Sequence, residues 1–263
     1  VKLDLEEEIL GEITGLWLST TLRTRKPTPL DEVRYAIHIL QEVLVHAVPA
    51  TTGKLLASLR DVYGSDGVTM SAEVEYAIHR SIRVGSWMGG DRDGNPFVTD
   101  GITAEARRLY RAAILAHYRD ALQPVIEQLT ISNLRQPVSE ALEASIERDL
   151  SELSELRART EGRNTSERYR LKLNAIAVRV EQTLAEDHAR EPGGKLGGYA
   201  DAHAIKADLE LVRSSLRENG APRLARHALA RLIDQLDVFG FEFVALDVRQ
   251  NQSQHRQIGR AHV

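Results

Sequence analysis

Apolar residues recur at three- and four-residue steps along almost the whole chain, a period that leaves little choice but helices. Leu3, Leu5, Ile9, Ile13, Leu16 and Trp17 set it at the start, with Trp17 expected in a core. Thr28, Pro29 and Asp31 have the order of a capped helix start, and the helix they open should stop before Pro49. A short helix is expected over residues 72–82. A long one should run from residue 104 towards 130, capped by Thr103 and kinked at Pro124. Ser139 should cap the next, and Tyr169, Leu173, Ile176, Val180 and Leu184 mark another. Five of the eight residues 191–198 are Gly or Pro and read as a loop. Two further helices are expected over residues 201–217 and 221–236.

Two stretches break the period. Residues 82–87 and 241–248 are short, mostly apolar runs that read as buried strands, and each ends in a dense polar motif. In barrels of parallel strands, chemistry gathers where strands end and loops begin. Two strands cannot close a barrel, so partners would have to come from elsewhere.

Bulk properties exclude several functions. The 263 residues carry a net charge of −4, a poor match for nucleic acid or anionic lipid. There is no cysteine for disulfides or thiolate metal sites, which fits a reducing cytoplasm. No apolar run approaches the roughly 20 residues that cross a bilayer. Val1 is not an initiator methionine and no signal peptide follows it, so the chain reads as cut from something longer.

Residues 85–96, Gly-Ser-Trp-Met-Gly-Gly-Asp-Arg-Asp-Gly-Asn-Pro, are the densest motif. Glycines allow a tight turn or a close ligand approach, and Asp91 and Asp93 flank Arg92 beside Trp87. A well-bonded structural loop would account for the same letters. A calcium loop would not, because Pro96 and Ile102 occupy the places of its glycine and its bidentate glutamate. In the second motif, residues 239–251, Arg249 leaves the apolar run where its planar fork could hold a phosphate or carboxylate. Alternatively it pairs with Asp247, which shares its face of a strand. The nine histidines show no metal spacing; His38, His46 and His79 read as structural. The Gly-Gly-Lys at residues 193–195 lacks the spacing of a phosphate-binding loop.

Together the two motifs resemble signatures of the phosphoenolpyruvate carboxylase family. The first matches throughout residues 85–96, and the second through Leu246-Asp247-Val248-Arg249-Gln250 followed by His255. The stretches from Leu16 and Trp17 to Glu32, and from Gly220 to Gly240, are similar to the family's approaches to these signatures.

The resemblance implies an α/β fold: a predominantly helical fragment of a single parallel, TIM-barrel-like β-barrel with many surrounding helices. It implies carboxylation of phosphoenolpyruvate by bicarbonate to oxaloacetate and phosphate, with Mg²⁺ or Mn²⁺, in a cytoplasmic, allosteric homotetramer. Arg249 then helps hold the substrate phosphate, and Trp87 walls the apolar pocket beside the substrate methylene. Both side chains should face one cavity. Asp91, Arg92, Asp93 and Asn95 shape the site. No metal ligand is expected in this chain. The family's catalytic histidine, metal carboxylates, catalytic lysine and Gly-rich mobile loop have no counterpart here, so the piece alone should be inactive. Gln252 departs from the small residue usual in the second signature. Residues 1–256 are thus expected to form a partial catalytic domain, and residues 257–263 a non-native read-through tail. A stand-alone helical module binding a phosphorylated metabolite is the alternative.

Overall fold

The computed structural model describes residues 2–18, 26–64, 71–135, 137–160, 166–189, 197–226 and 228–252. The Gly-Gly-Lys segment, His255 and the suspected tail lie outside them.

Helix α1 (Lys2–Leu18) precedes α2 (Pro29–Ile39), whose start is the expected capping box. The Asp31 amide donates to Thr28 Oγ1 (3.3 Å), and the Thr28 amide donates back to Asp31 (3.0 Å). That reciprocal pairing lowers the Asp31 carboxyl below its ordinary range, chiefly through the Thr28 hydroxyl.

The helix does not stop before Pro49. A single π-turn (Leu40–Leu44) leads directly into α3 (Val45–Tyr63), with Pro49 inside it. A proline there deprives the Val45 carbonyl of its helical donor. Gln235 replaces that donor: its amide nitrogen reaches the Val45 oxygen at 3.1 Å, and its own oxygen pairs with His117 Nε2 at 3.1 Å. Gln235 is 2% exposed, so both bonds are made away from water.

After α4 (Ala72–His79) and a two-residue strand β1 (Gly85–Ser86), α5 (Asp100–Gln128) forms the spine. Its cap is Thr99, four residues before the expected Thr103, and the helix runs on through Pro124. Ala106, Tyr110, Ile114, Tyr118, Leu122 and Val125 recur at helical spacing along its buried face. That face packs on α2 and on two later helices, α8 (Arg168–Ala189) and α10 (Ala228–Phe239). Between α5 and α8 in the sequence come α6 (Glu140–Glu152), capped by Ser139 as expected, and α7 (Ser154–Thr160). Helix α9 (Ala202–Glu218) completes the layer, capped by Asp201.

Among the described residues the core holds a buried lysine. Lys172 is 1% exposed, with its ammonium 2.8 Å from Ser145 Oγ and 2.7 Å from both Asp149 and Asp208. Two carboxylates and a hydroxyl satisfy its three protons, which makes burial of the charge tolerable. The network ties α6, α8 and α9 together.

Both expected strands are present but much shorter, and they are not buried runs. After α10, the Phe243 amide bonds the Phe239 carbonyl (3.2 Å), and Phe243 adopts φ 65°. A left-handed phenylalanine costs about 1–2 kcal/mol. Burial of its ring, edge-on to Phe239 at 5.5 Å, offsets that cost. Extended backbone therefore begins only at β2 (Ala245–Leu246). Strands β1 and β2 pair in parallel, with Gly85 opposite Ala245 and Ser86 opposite Leu246. Among the described residues this is the only sheet, so the helical majority is as expected and no barrel is formed.

Trp17 corrects another expectation. It is 86% exposed, and Leu5, Ile9, Ile13 and Leu16 are exposed with it. The stripe lies on a helix as read, but among the described residues no core covers it. No described helix is long and apolar enough to cross a membrane.

Candidate functional site

The parallel ladder extends beyond the strands and joins the two motifs. The Ala245 amide donates to Val84 O, and the Asp247 amide to Ser86 O, each at 2.9 Å. Farther along, the Arg249 amide donates to Gly90 O (3.0 Å) and the Arg92 amide to Arg249 O (2.9 Å). Asp91 thus stands opposite Arg249 in an isolated parallel bridge.

Glycine is required where the backbones meet. A Cβ on Gly90 would lie 2.2 Å from the Asp247 carbonyl oxygen. One on Gly89, at φ +87°, would lie 2.4 Å from the Ala106 methyl on α5. These contacts let the loop pass between the second motif and the spine helix.

Side chains complete the junction. The Arg249 guanidinium lies 4.0 Å from Asp91 Oδ2, and its side chain is 63% exposed. Its carboxylate neighbour is therefore Asp91 and not the Asp247 weighed from sequence. Asp91 also accepts from the Gly94 amide (3.2 Å), Asn95 from the Phe97 amide (3.1 Å), and Asp93 from Asn251 Nδ2 (3.1 Å). Arg92 turns the other way, to Asp100 (2.6 Å) and Thr103 (3.4 Å) on α5. Asp91 and Asp93 thus tie loop to strand end, Asn95 shapes the loop's own turn, and Arg92 anchors the loop to its scaffold.

Trp87 follows β1 on the exposed side of the ladder, as strand alternation from Gly85 requires. Asp247 is on that side too, its carboxylate 3.7 Å from the position of a Gly85 Cβ. The indole walls a pocket of about 190 Å³ with Tyr35, Ile39, Leu40, Leu44 and Met88. Arg249 lines neither this pocket nor a larger cavity of about 570 Å³ bordered by Arg83, Arg107 and Phe243. The structure brings the two motifs together along the main chain without placing indole and guanidinium in one described cavity.

Three residues that hold the loop escaped the sequence reading. Thr103 Oγ1 donates to Gly89 O at 2.9 Å. Tyr110 Oη lies 3.0 Å from Ser86 Oγ and 3.3 Å from Met88 O. Burial raises the Tyr110 phenol above its ordinary pKa, partly opposed by the Ser86 bond, so the hydroxyl stays protonated and can donate. The available signal was spacing: Asp100, Thr103 and Tyr110 fall on one face of the helix that follows the loop.

No group of three or more His, Asp or Glu side chains among the described residues is arranged to hold a metal. The carboxylates of Asp91 and Asp93 are engaged in the loop bonds above. These residues by themselves do not fit a metal centre.

Two polar loops thus leave adjacent parallel strands on a helical scaffold. Sequence comparison identifies the family. A family model described as phosphoenolpyruvate carboxylase matches residues 2–261, and the chain belongs to that family. It is 34% identical over 260 residues to the phosphoenolpyruvate carboxylase of Azorhizobium caulinodans, covering 96% of this chain and 26% of that protein. The enzyme of Roseiflexus castenholzii is 33% identical over 253 residues, covering 94% and 26%. The chain spans about a quarter of the length of the curated relatives it matches.

Proposed function

We propose that this chain is the part of a phosphoenolpyruvate carboxylase that grips the substrate phosphate and walls the side of its methylene carbon. The supporting observation is the ladder that sets Arg249 against Asp91 and carries both signatures out of one sheet. In this reading the two strands belong to a larger parallel barrel, and the exposed side of the ladder faces its site. The parent is a cytoplasmic, allosteric homotetramer that supplies oxaloacetate from phosphoenolpyruvate and bicarbonate. A Mg²⁺ or Mn²⁺ bound in the parent would supply positive charge to balance the substrates, and its ligands would come from outside the residues described here.

Phosphoryl transfer to bicarbonate leaves carboxyphosphate and the enolate of pyruvate. Arg249 holds the phosphoryl oxygens through paired, charge-assisted bonds. The Trp87 indole keeps water from the enolate carbon until carbon dioxide adds there. A chain without the family's histidine and lysine has no turnover of its own.

Two measurements test this. Residues 1–263 with phosphoenolpyruvate, bicarbonate and Mg²⁺ should give no oxaloacetate in a coupled malate dehydrogenase assay; turnover above background contradicts the assignment of an inactive piece. In the parent, Arg249→Ala should lower kcat/KM by roughly 10²-fold or more, as loss of charged hydrogen bonds worth about 3 kcal/mol requires. An unchanged kcat/KM removes Arg249 from the site.

A further inference from the structure

We infer that Tyr110 is a positioning residue that fixes the direction of the Trp87 indole through a closed ring of hydrogen bonds around the Trp87 peptide. The ring has three members. The Met88 amide donates to Ser86 Oγ (3.2 Å), the Ser86 hydroxyl donates to Tyr110 Oη (3.0 Å), and the Tyr110 hydroxyl donates to Met88 O (3.3 Å). Each group donates once and accepts once, so the cycle has a single consistent sense. It encloses the residues on both sides of Trp87 and leaves the indole as the part that projects.

The anchor is buried where the indole is exposed. Tyr110 is 1% exposed on the buried face of α5, whereas Trp87 is half exposed and touches an open pocket. Packing alone therefore does not hold the indole. Its direction is set by the main chain of residues 86–88, which the Asp247 amide holds at Ser86 O, the Gly90 and Asp91 amides hold at Trp87 O, and the Tyr110 hydroxyl holds at Met88 O. Thr103, bonded to Gly89 O, fixes the next residue along from the same helix face. Two successive carbonyls, Met88 and Gly89, are thus gripped by one helix.

The catalytic consequence rests on the role proposed above for Trp87. If the indole loses its set direction, water reaches the enolate. A proton from water then adds to the methylene carbon, giving pyruvate, while carboxyphosphate hydrolyses to bicarbonate and phosphate. The net reaction is phosphoenolpyruvate plus water to pyruvate plus phosphate. Tyr110 touches no substrate in this scheme and acts only through Trp87.

The test has two arms. In the 263-residue chain carrying Trp17→Phe, Trp87 is the only tryptophan, and acrylamide quenching reports its freedom. Tyr110→Phe keeps the ring and removes only the hydroxyl, and Ser86→Ala breaks the same cycle from the other side. Both should raise the quenching constant with an unchanged far-ultraviolet circular dichroism spectrum. No change in either folded variant overturns the ring. In the parent enzyme, Tyr110→Phe should raise the ratio of pyruvate to oxaloacetate about fivefold, the factor that about 1 kcal/mol carries in a rate ratio. Trp87→Phe in the parent separates the two ideas. If it shifts the ratio and Tyr110→Phe does not, the positioning role is wrong. If Trp87→Phe itself changes nothing, the reading of the indole fails, while quenching still decides the ring.

Discussion

Asp91 faces Arg249 across a single parallel bridge, and the main-chain bonds on either side of it come from Gly90 and Arg92. The contact between the two signatures is therefore backbone to backbone first and ionic second. Gly90→Ala should test it, because the new methyl would collide with the Asp247 carbonyl at 2.2 Å. We expect a loss of about 2 kcal/mol or more in urea unfolding. Gly53→Ala is the control: its Cβ would meet nothing within 4 Å inside α3. It should stabilise by roughly 0.5–1 kcal/mol.

Gln235 and Pro49 form a second testable pair. Gln235→Leu strands the Val45 carbonyl and His117 in the core, and should cost about 1–3 kcal/mol. In a Pro49→Ala background the residue 49 amide can bond Val45 itself, so the same substitution should cost about 1 kcal/mol less. Additive losses in a double-mutant cycle would show that Gln235 does not stand in for the missing donor.

Removing the buried cation should be severe. Lys172→Met leaves Asp149 and Asp208 facing each other without their ammonium, a loss of about 3–5 kcal/mol. Lys54→Met, at an exposed site on α3, should stay within about 0.5 kcal/mol. Denaturation midpoints of the two variants decide the matter.

His117 gives a pH dependence with a defined sign. Burial lowers its pKa from the ordinary 6.5, with the Gln235 bond opposing and His46 assisting. The unfolded chain then takes up a proton more readily than the folded one, so this stabilisation is full above pH 6.5 and falls below it. Asp234 works in the opposite direction: burial raises its carboxyl above 3.8, so its contribution fades as pH rises from there. Between pH 7 and about pH 5.5, the wild-type chain should lose more stability than His117→Gln, measured by urea melts at each pH. Parallel curves would exclude His117 as the source.

Local chemistry was legible in the sequence, and its dependence on distant partners was not. The Thr28 capping box, the Ser139 cap and the buried stripe of α8 follow from residues a turn or two apart, and the structure has all three. Pro49 read as a helix stop because its rescue comes from Gln235, on a helix far along the chain. The second strand read too long because the left-handed turn at Phe243 falls on a residue type that rarely adopts it. Trp17 read as core because a helical stripe announces an apolar face without saying what covers it. Where the two motifs meet, the letters singled out Arg249 and Trp87, but the pairing of Arg249 with Asp91 and the bonds from Tyr110 required three dimensions.

A ladder only a few residues long also decides which kinds of genetic change the chain can absorb. Its register places alternate side chains on opposite sides, so one residue inserted or deleted among residues 85–91 would turn the loop's side chains over relative to Arg249. Length in this segment is under physical control as well as residue identity, whereas one residue more or fewer in the exposed turn at residues 130–135 would leave the ladder in place.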